Sequence, residues 1–282
     1  MKYVVVTETG GDVPVHLVKR YGLEICPMHV SFGDKNLDDG AFPVKDIFDH
    51  YEKTGELPRT SGCTVQDFIN VFERIDAKYP ECHIIYLAYS SVTTCSFKSA
   101  QIAAEGRTNI SFFDTKSVAA ALCLIATNVA QWIEDNPDAE LSEVEVYVND
   151  QIERIRMAFI PGGLEFLRAG GRVSNGSYIA AQLLRIKPVI EIVDGSLIAT
   201  KKLHGSMEKV CMKMLEEYFD AEEMDNARIG LIRNAGLSEE IQEKIIAYLA
   251  SRGFDNYEWI DTGCVIASHC GPGSFGIATF AK

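Results

Sequence analysis

The 282-residue chain has little positive charge: 27 Lys and Arg stand against 40 Asp and Glu, a formal net charge of −13. An acidic surface of this kind repels polyanions, so the composition argues against binding to nucleic acid or to an anionic membrane. No apolar run reaches the roughly 18 residues of a membrane-spanning helix, and we expect no stable membrane insertion. The opening MKYVVVTETGG becomes polar too soon for a secretory signal and predicts a first strand.

Several signatures of catalysis and metal binding are also missing. The chain has no Gly-Lys pair, and therefore no Walker A sequence, and it has neither H-E-x-x-H nor G-x-S-x-G. Gly271–Gly276 fits G-x-G-x-x-G, but the chain ends at Lys282, too soon for the helix and acidic residue of a dinucleotide site. The acidic residues Asp34, Asp38 and Asp39 lack EF-hand spacing and predict a solvated turn. We expect neither a metal nor a cofactor.

The eight cysteines form no C-x-x-C pair, and several lie in apolar runs such as AALCLIA around Cys123. A zinc site lacks the required spacing, and a disulfide framework is unusual in a chain of this length. We therefore expect free thiols that pack as small hydrophobic side chains in a reducing cytoplasm.

The pattern of apolar residues predicts an α/β fold in two parts. Buried-type strands alternate with amphipathic helices over residues 1–160, which indicates an N-terminal α/β domain with a parallel sheet and a small β-rich insert at about 24–58. Residues 161–282 predict a C-terminal α+β domain with a mostly antiparallel sheet, because Asp194-Gly195 joins two strand patterns as a hairpin. Finer expectations are a helix capped by Ser117, a short helix around Tyr178–Leu184, and a strand at 264–269.

Hydroxyl side chains follow two of the predicted strands and precede helices. Thr60 and Ser61 come shortly before a helix that Thr64 and Asp67 cap, and residues 90–94 follow the strand HIIYLA. Because parallel strands end at one edge of a sheet, both loops are expected at the same ligand-binding edge. Helix capping alone and anion binding both remain open for these hydroxyls.

Two glycine-rich stretches carry the remaining candidate residues. In LEFLRAGGRVSNGS, Arg172 follows Gly170-Gly171, where it either binds an anion or is a solvated residue after a helix end. In SHCGPGSFG, His269 precedes a glycine-rich turn. Cys63 or Cys95 could act as a nucleophile with His269 as base, although a space-filling role is the commoner one.

These stretches together resemble the DegV family, which carries a GGR(I/V)S segment and a late THxGPG segment. The likeness covers essentially the whole chain and includes TSGCT at 60–64 and YSSVTTCS at 89–96. It implies a protein that binds a long-chain fatty acid between its two domains and presents it to a separate ATP-dependent fatty acid kinase, without catalysing the reaction itself. By this likeness the ligand-binding residues are Thr60, Ser61, Ser91, Thr94, Arg172 and His269.

The sequence also departs from the family pattern. TSxPS is TSGCT here, Cys95 stands where SSxLSGT has its glycine, and the first strand ends in TETG where Asp-Ser is common. Two other functions therefore stay open. One is a cysteine-dependent acyl hydrolase, and the other is a carrier of a small carbonyl or sugar ligand that His269 would bind covalently.

Overall fold

The structure, a computed structural model, describes residues 2–173, 186–225 and 227–282. The helix expected around Tyr178–Leu184 lies outside these residues.

The strands are β1 Tyr3–Glu8, β2 Glu24–Cys26, β3 His29–Phe32, β4 Lys35–Asp38, β5 Arg59–Ser61, β6 His83–Tyr89, β7 Ile110–Ser117, β8 Ile155–Ile160, β9 Ile186–Val193, β10 Ser196–His204, β11 Ile229–Arg233, β12 Tyr257–Asp261 and β13 Phe275–Phe280. The helices are α1 Val15–Tyr21, α2 Val44–Thr54, α3 Val65–Lys78, α4 Ser96–Ala103, α5 Ala119–Asp135, α6 Leu141–Arg154, α7 Leu164–Gly170, α8 Met207–Ala221, α9 Glu239–Ser251 and α10 Cys264–Cys270.

The N-terminal part contains a parallel sheet in the order β2-β1-β6-β7, which confirms the predicted α/β class. Every residue of β1 is buried, as expected for a strand covered on both faces. Much of the expected insert is a separate antiparallel sheet in the order β4-β3-β5, with α2 beside it in the chain. Pairing of Val30 with Thr60 fixes the position of β5, the strand that carries Thr60.

The second sheet has the order β10-β9-β8-β13-β11-β12. Among these described strands the β11–β12 pair is parallel and the other pairs are antiparallel. The predicted hairpin is present, with positive φ at both Asp194 and Gly195, as a tight hairpin turn requires. Strand β8 belongs to this sheet although it precedes residue 161. The division into domains 1–160 and 161–282 stays a prediction.

Helix α5 joins the two sheets. The helix is buried on all sides along most of its length. It contacts β1, β6 and β7 of the parallel sheet as well as β8, β11 and β13 of the mixed sheet. A helix that is apolar all round is stable only when it is covered on all sides. Among the described residues, no helix is both long and apolar enough to cross a membrane.

Two local predictions are wrong. Residues 264–270 form helix α10 and no strand, because distant carboxylates accept hydrogen bonds from the backbone N–H groups of its first turn. Ser117 does not cap α5: it is the last residue of β7, its hydroxyl is buried without a partner, and Val118 is the residue at the helix start.

Candidate functional site

A narrow cavity lies where the parallel sheet, the three-stranded sheet and the mixed sheet meet. It measures about 60 Å³, which is below the roughly 300–1,000 Å³ of common ligand sites. Its walls are mostly apolar, and they include Met28, Val118, Met157, Phe159, Leu197 and Phe275. Met157 and Phe159 alternate with residues on the other face of β8, so the strand turns these two side chains towards the cavity.

The polar side chains predicted from the sequence gather at this cavity. Thr60, Ser61, Thr94, Arg172 and His269 all line it, and Thr94 and Arg172 also line a more open cleft beside it. Ser91 lines only that cleft, and its hydroxyl donates to Asp114 at 2.5 Å. The structure therefore brings five of the six residues together, while their role in binding a ligand stays a prediction.

His269 lies in the last turn of α10 and contacts Thr60 across the molecule. Its Nε2 atom lies 2.8 Å from the Thr60 hydroxyl, while its Nδ1 atom is buried and has no hydrogen-bond partner. Burial, followed by the nearby positive charge of Arg172, lowers the pKa of His269 to about 4. The imidazole is therefore neutral at physiological pH.

The unpartnered Nδ1 atom indicates which tautomer is present. A buried N–H group without an acceptor is rare in proteins, so we assign the hydrogen of the neutral ring to Nε2. In this tautomer His269 donates to the Thr60 oxygen, and the hydrogen of the Thr60 hydroxyl is free to point into the cavity. Thr60 can then act as a donor to an anion.

The GGR stretch ends a helix and places Arg172 beside the cavity. Helix α7 ends at Gly170, Gly171 follows in the left-handed conformation at φ 63°, and Arg172 donates from Nη1 to the Gly170 carbonyl at 2.6 Å. A side chain at position 170 would collide with His269 Nδ1. The first glycine therefore allows the imidazole to approach α7, and the second ends the helix so that Arg172 reaches the cavity.

Thr94 is held by a buried network that the sequence did not reveal. Its hydroxyl lies 3.2 Å from Ser96 Oγ, which accepts a hydrogen bond from the Cys63 backbone N–H at 3.0 Å. Behind them lies Glu8, which is fully buried at the end of β1. Burial raises the pKa of Glu8 in spite of hydrogen bonds that lower it, Tyr86 and Ser96 among their donors.

Two further carboxyl groups hold the start of α10. Asp12 accepts a hydrogen bond from the Gly263 N–H at 2.8 Å, and Asp39 accepts one from the Cys264 N–H at 2.7 Å. Burial raises the pKa of both, and the charge of Asp39 raises that of Asp12 further. The expectation of a solvated turn is wrong for Asp39, because α10 covers this side chain. The burial of Asp39 depends on its contact with Cys264, which is too distant in the sequence to be recognised there.

Neither cysteine proposed as a nucleophile lines the cavity. Cys63 is buried, and its Sγ lies 3.6 Å from the Cys26 carbonyl and 3.7 Å from Glu8 Oε2. Burial raises the pKa of Cys63 well above its usual value, which disfavours a thiolate. Cys95 is exposed and lines the outer cleft. All eight cysteines are free, and seven are buried, as predicted.

Comparisons with known proteins agree with this architecture. The family model described as "Uncharacterised protein, DegV family" matches residues 2–282. A DegV domain-containing protein of Caldanaerobacter subterraneus is 26% identical over 281 residues and covers 98% of each chain. Protein DegV of Bacillus subtilis is 25% identical over 289 residues, again with 98% of each chain covered.

Solved structures are similar over the full length. A DegV family protein from Thermus thermophilus, described as binding fatty acid, has a TM-score of 0.88 at 24% identity and covers 100% of both chains. A stearic acid-binding protein from Eubacterium ventriosum has a TM-score of 0.85 at 20% identity, with 99% of this chain and 98% of its own covered. The chain belongs to the DegV family.

Proposed function

We propose that the protein binds a long-chain fatty acid in this cavity, with the carboxylate at Thr60, Thr94 and Arg172. The observation that carries the proposal is the division of one narrow cavity into apolar walls and a polar end with hydroxyls and a guanidinium group. A buried carboxylate is costly unless donors or a cation meet it, and the polar end supplies both. The fatty acid-binding descriptions of the similar structures support this ligand class.

The acyl chain would supply most of the affinity. Burial contributes roughly 0.8 kcal/mol per methylene, so a chain of about 16 carbons contributes on the order of 10 kcal/mol before the costs of binding. The cavity of about 60 Å³ must widen to hold such a chain. Met28 and Met157 are suited to this, because their unbranched side chains change rotamer readily.

We propose further that the bound carboxylate is presented to a separate ATP-dependent fatty acid kinase. Phosphoryl transfer requires groups that bind the phosphates and magnesium, and the sequence has no Walker A motif. The cavity shares Thr93, Thr94 and Arg172 with the open cleft, so an enzyme bound there could reach the carboxylate. The free thiols support the expectation of a cytoplasmic protein.

The two other functions considered have less support. A cysteine-dependent hydrolase needs a thiolate in the cavity, but Cys63 is turned towards Glu8 and Cys26. A carrier that binds a carbonyl ligand covalently needs a ring nitrogen of His269 that the ligand can reach. Its Nε2 atom is paired with Thr60 and its Nδ1 atom faces Gly170.

Mass analysis of the purified protein tests the proposal. We expect denaturing extraction to release a non-covalent fatty acid, and we expect delipidated protein to bind added palmitate or oleate. A covalent adduct on His269 would support the carrier function instead. Preparations that contain no fatty acid and bind neither probe would contradict the proposal. With ATP and magnesium, acyl phosphate should form only after a fatty acid kinase is added; product without that kinase would contradict the second step.

A further inference from the structure

Glu8 is a buried carboxyl group without a compensating cation. It is 0% exposed, and no Lys, Arg or His within the described ranges forms an ion pair with it. Its two oxygens have unequal surroundings. Oε1 accepts a hydrogen bond from the Tyr86 hydroxyl at 2.7 Å and from the Tyr89 N–H at 3.0 Å, whereas Oε2 lies 3.7 Å from Cys63 Sγ. The Ser96 hydroxyl is also hydrogen-bonded to the carboxyl group of Glu8.

This asymmetry matches a protonated carboxyl group. An oxygen that accepts from two good donors is placed like a carbonyl oxygen. Oε2 lies beside a thiol, which is a weak donor, and is therefore the oxygen left to carry the hydrogen. An ionised carboxylate would remain buried and without a cation, which is costly. The favoured form of Glu8 therefore carries its proton on Oε2.

The position of this proton determines the direction of the hydrogen bonds that follow. When Glu8 donates to Ser96 Oγ, Ser96 also accepts from the Cys63 N–H and can donate only towards Thr94 Oγ1, 3.2 Å away. The Thr94 oxygen then accepts from Ser96, and its own hydrogen is free to point into the cavity. In this arrangement the Ser96 hydroxyl has its donor and its acceptor sites satisfied, and the Thr94 hydrogen is left for a ligand.

Loss of the proton reverses this order. An ionised Glu8 accepts from Ser96, and Ser96 then accepts from Thr94. The Thr94 hydrogen is used within the protein, and a lone pair faces the cavity in its place. A carboxylate ligand would meet this lone pair and, behind it, the negative charge of Glu8.

We propose that Glu8 is a positioning residue that carries a proton while a fatty acid carboxylate is bound, and that it thereby directs the Thr94 hydroxyl towards that carboxylate as a donor. This inference rests on the proposed function. The proton comes from solvent, so binding takes up a proton wherever Glu8 is ionised in the ligand-free protein. Affinity then falls by up to about tenfold per pH unit above the pKa of Glu8.

Other titratable groups near Glu8 do not supply this response. Cys26 and Cys63 face it from β2 and from the loop before α3, and Tyr86 and Tyr89 face it from β6. Burial raises the pKa of Cys63 and of both tyrosines, so these groups remain neutral. The carboxyl pair Asp12 and Asp39 lies at the far end of α10 from His269, and neither aspartate lines the cavity.

Calorimetry with delipidated full-length protein tests the inference. Dodecanoate below its aggregation concentration is titrated at neutral and alkaline pH, in two buffers that differ in ionisation enthalpy. We expect uptake of close to one proton per bound dodecanoate at alkaline pH. Glu8→Gln keeps the size of the side chain and always donates from its amide, so it should bind without proton uptake and with a flat pH profile.

Two further variants make the result specific. Glu24→Gln alters a buried carboxylate that is paired with Arg74 and Lys78 away from the cavity, and it should take up a proton as the unmodified protein does. Ser96→Ala interrupts the hydrogen-bond chain and should weaken the pH dependence, which decides the question if Glu8→Gln does not fold. An unchanged pH dependence in Ser96→Ala would overturn the donor assignment.

The failures of the two proposals are distinguishable. Binding of dodecanoate with no proton uptake in the unmodified protein, or undiminished uptake in Glu8→Gln, overturns the inference about Glu8 and leaves fatty acid binding intact. Absence of dodecanoate, palmitate and oleate binding at every pH overturns both.

Discussion

Thr60 and Thr94 bring similar hydroxyls to one cavity, but the groups behind them differ. Thr60 is paired with a base, His269, that lies 209 residues away in the chain, so this arrangement depends on the contact between β5 and α10. Thr94 is linked through Ser96 to an acid, Glu8, at the end of β1. Strand β1 belongs to the same parallel sheet as β6, the strand that precedes the Thr94 loop. In both arrangements burial favours the uncharged form of the titratable group.

The comparison shows how a cavity can accept an anion without many buried charges. A protonated imidazole would attract a carboxylate, but its burial beside Arg172 is costly. Neutral groups that direct hydroxyl hydrogens avoid this cost, because hydrogen-bond donors stabilise an anion without a full charge. Arg172 is the permanently charged side chain among the described residues of the cavity lining.

The largest expected effect is on the pH dependence of folding stability, and it tests whether His269 is buried as a neutral ring. The pKa of His269 is about 4 in the folded protein and near 6.5 when unfolded, so only the unfolded state gains this proton between these values. Stability from this group is fully present above about pH 6.5 and is lost as the pH falls towards 4, by about 3 kcal/mol at most. His269→Gln should lack this loss.

Urea unfolding of both proteins across this pH range provides the measurement. The raised pKa values of Glu8, Asp12 and Asp39 act in the opposite direction, because those groups bind protons more readily when folded. The quantity to compare is therefore the difference between the unmodified protein and His269→Gln. Parallel stability curves would show that His269 is not buried as a neutral ring.

Sequence reasoning was sufficient where the signal was local or repeated. The pattern of apolar residues predicted the parallel sheet, the dipeptide Asp194-Gly195 predicted the hairpin, and the spacing of Thr64 and Asp67 predicted the capping box. The family likeness brought Thr60, Thr94, Arg172 and His269 together before the structure did. These features depend on neighbouring residues or on motifs, both of which a sequence displays directly.

What the sequence could not supply depends on contacts between distant residues. VIAS in α10 has the composition of a strand, and its helix start is held by Asp12 and Asp39. From the sequence, Glu8 looks like an exposed loop residue. In the structure it is buried, and Tyr86 and Tyr89 of β6 and Cys63 of the loop before α3 contact it. Ser91 belongs to the same hydroxyl-rich loop as Thr94, but the direction of its side chain is set by Asp114 on β7.

A smaller effect on stability is expected from a substitution that places an extra methyl group against His269. Gly170→Ala would bring a methyl group into His269 Nδ1. We expect the free energy of unfolding to fall by about 1–3 kcal/mol, the usual cost of overpacking. The affinity for fatty acid should fall as well, because the displaced imidazole no longer orients Thr60. Chemical denaturation and calorimetric binding of dodecanoate measure the two effects.

Gly22→Ala provides the matched control. Gly22 has φ 62° and open space around it at the end of α1, so the substitution costs backbone strain without a collision near the cavity. It should lower stability while leaving the affinity unchanged. Equal affinity in Gly170→Ala and Gly22→Ala would mean that His269 does not position Thr60 for the ligand.

The smallest expected effects are changes in fatty acid affinity when the Thr60 or the Thr94 hydroxyl is removed, and they should distinguish the two side chains. Thr60→Val removes a hydroxyl donor to the carboxylate, so the affinity should fall by about 1–3 kcal/mol. The His269 Nε2–H that loses its acceptor lowers the stability of the fold instead. Thr94→Val removes one hydroxyl donor and leaves Ser96 bonded to the Cys63 N–H, so a loss of affinity of about 1 kcal/mol is expected.

The pH dependence of binding separates the two variants more clearly than these energies do. Thr60→Val should retain the proton uptake that accompanies binding, because the chain from Glu8 to Thr94 is intact. Thr94→Val should reduce it, because the group that Glu8 orients is gone. If calorimetry gives the two variants the same pH dependence, the hydroxyls are not controlled separately by an acid and a base, and the cavity responds to pH through its overall charge.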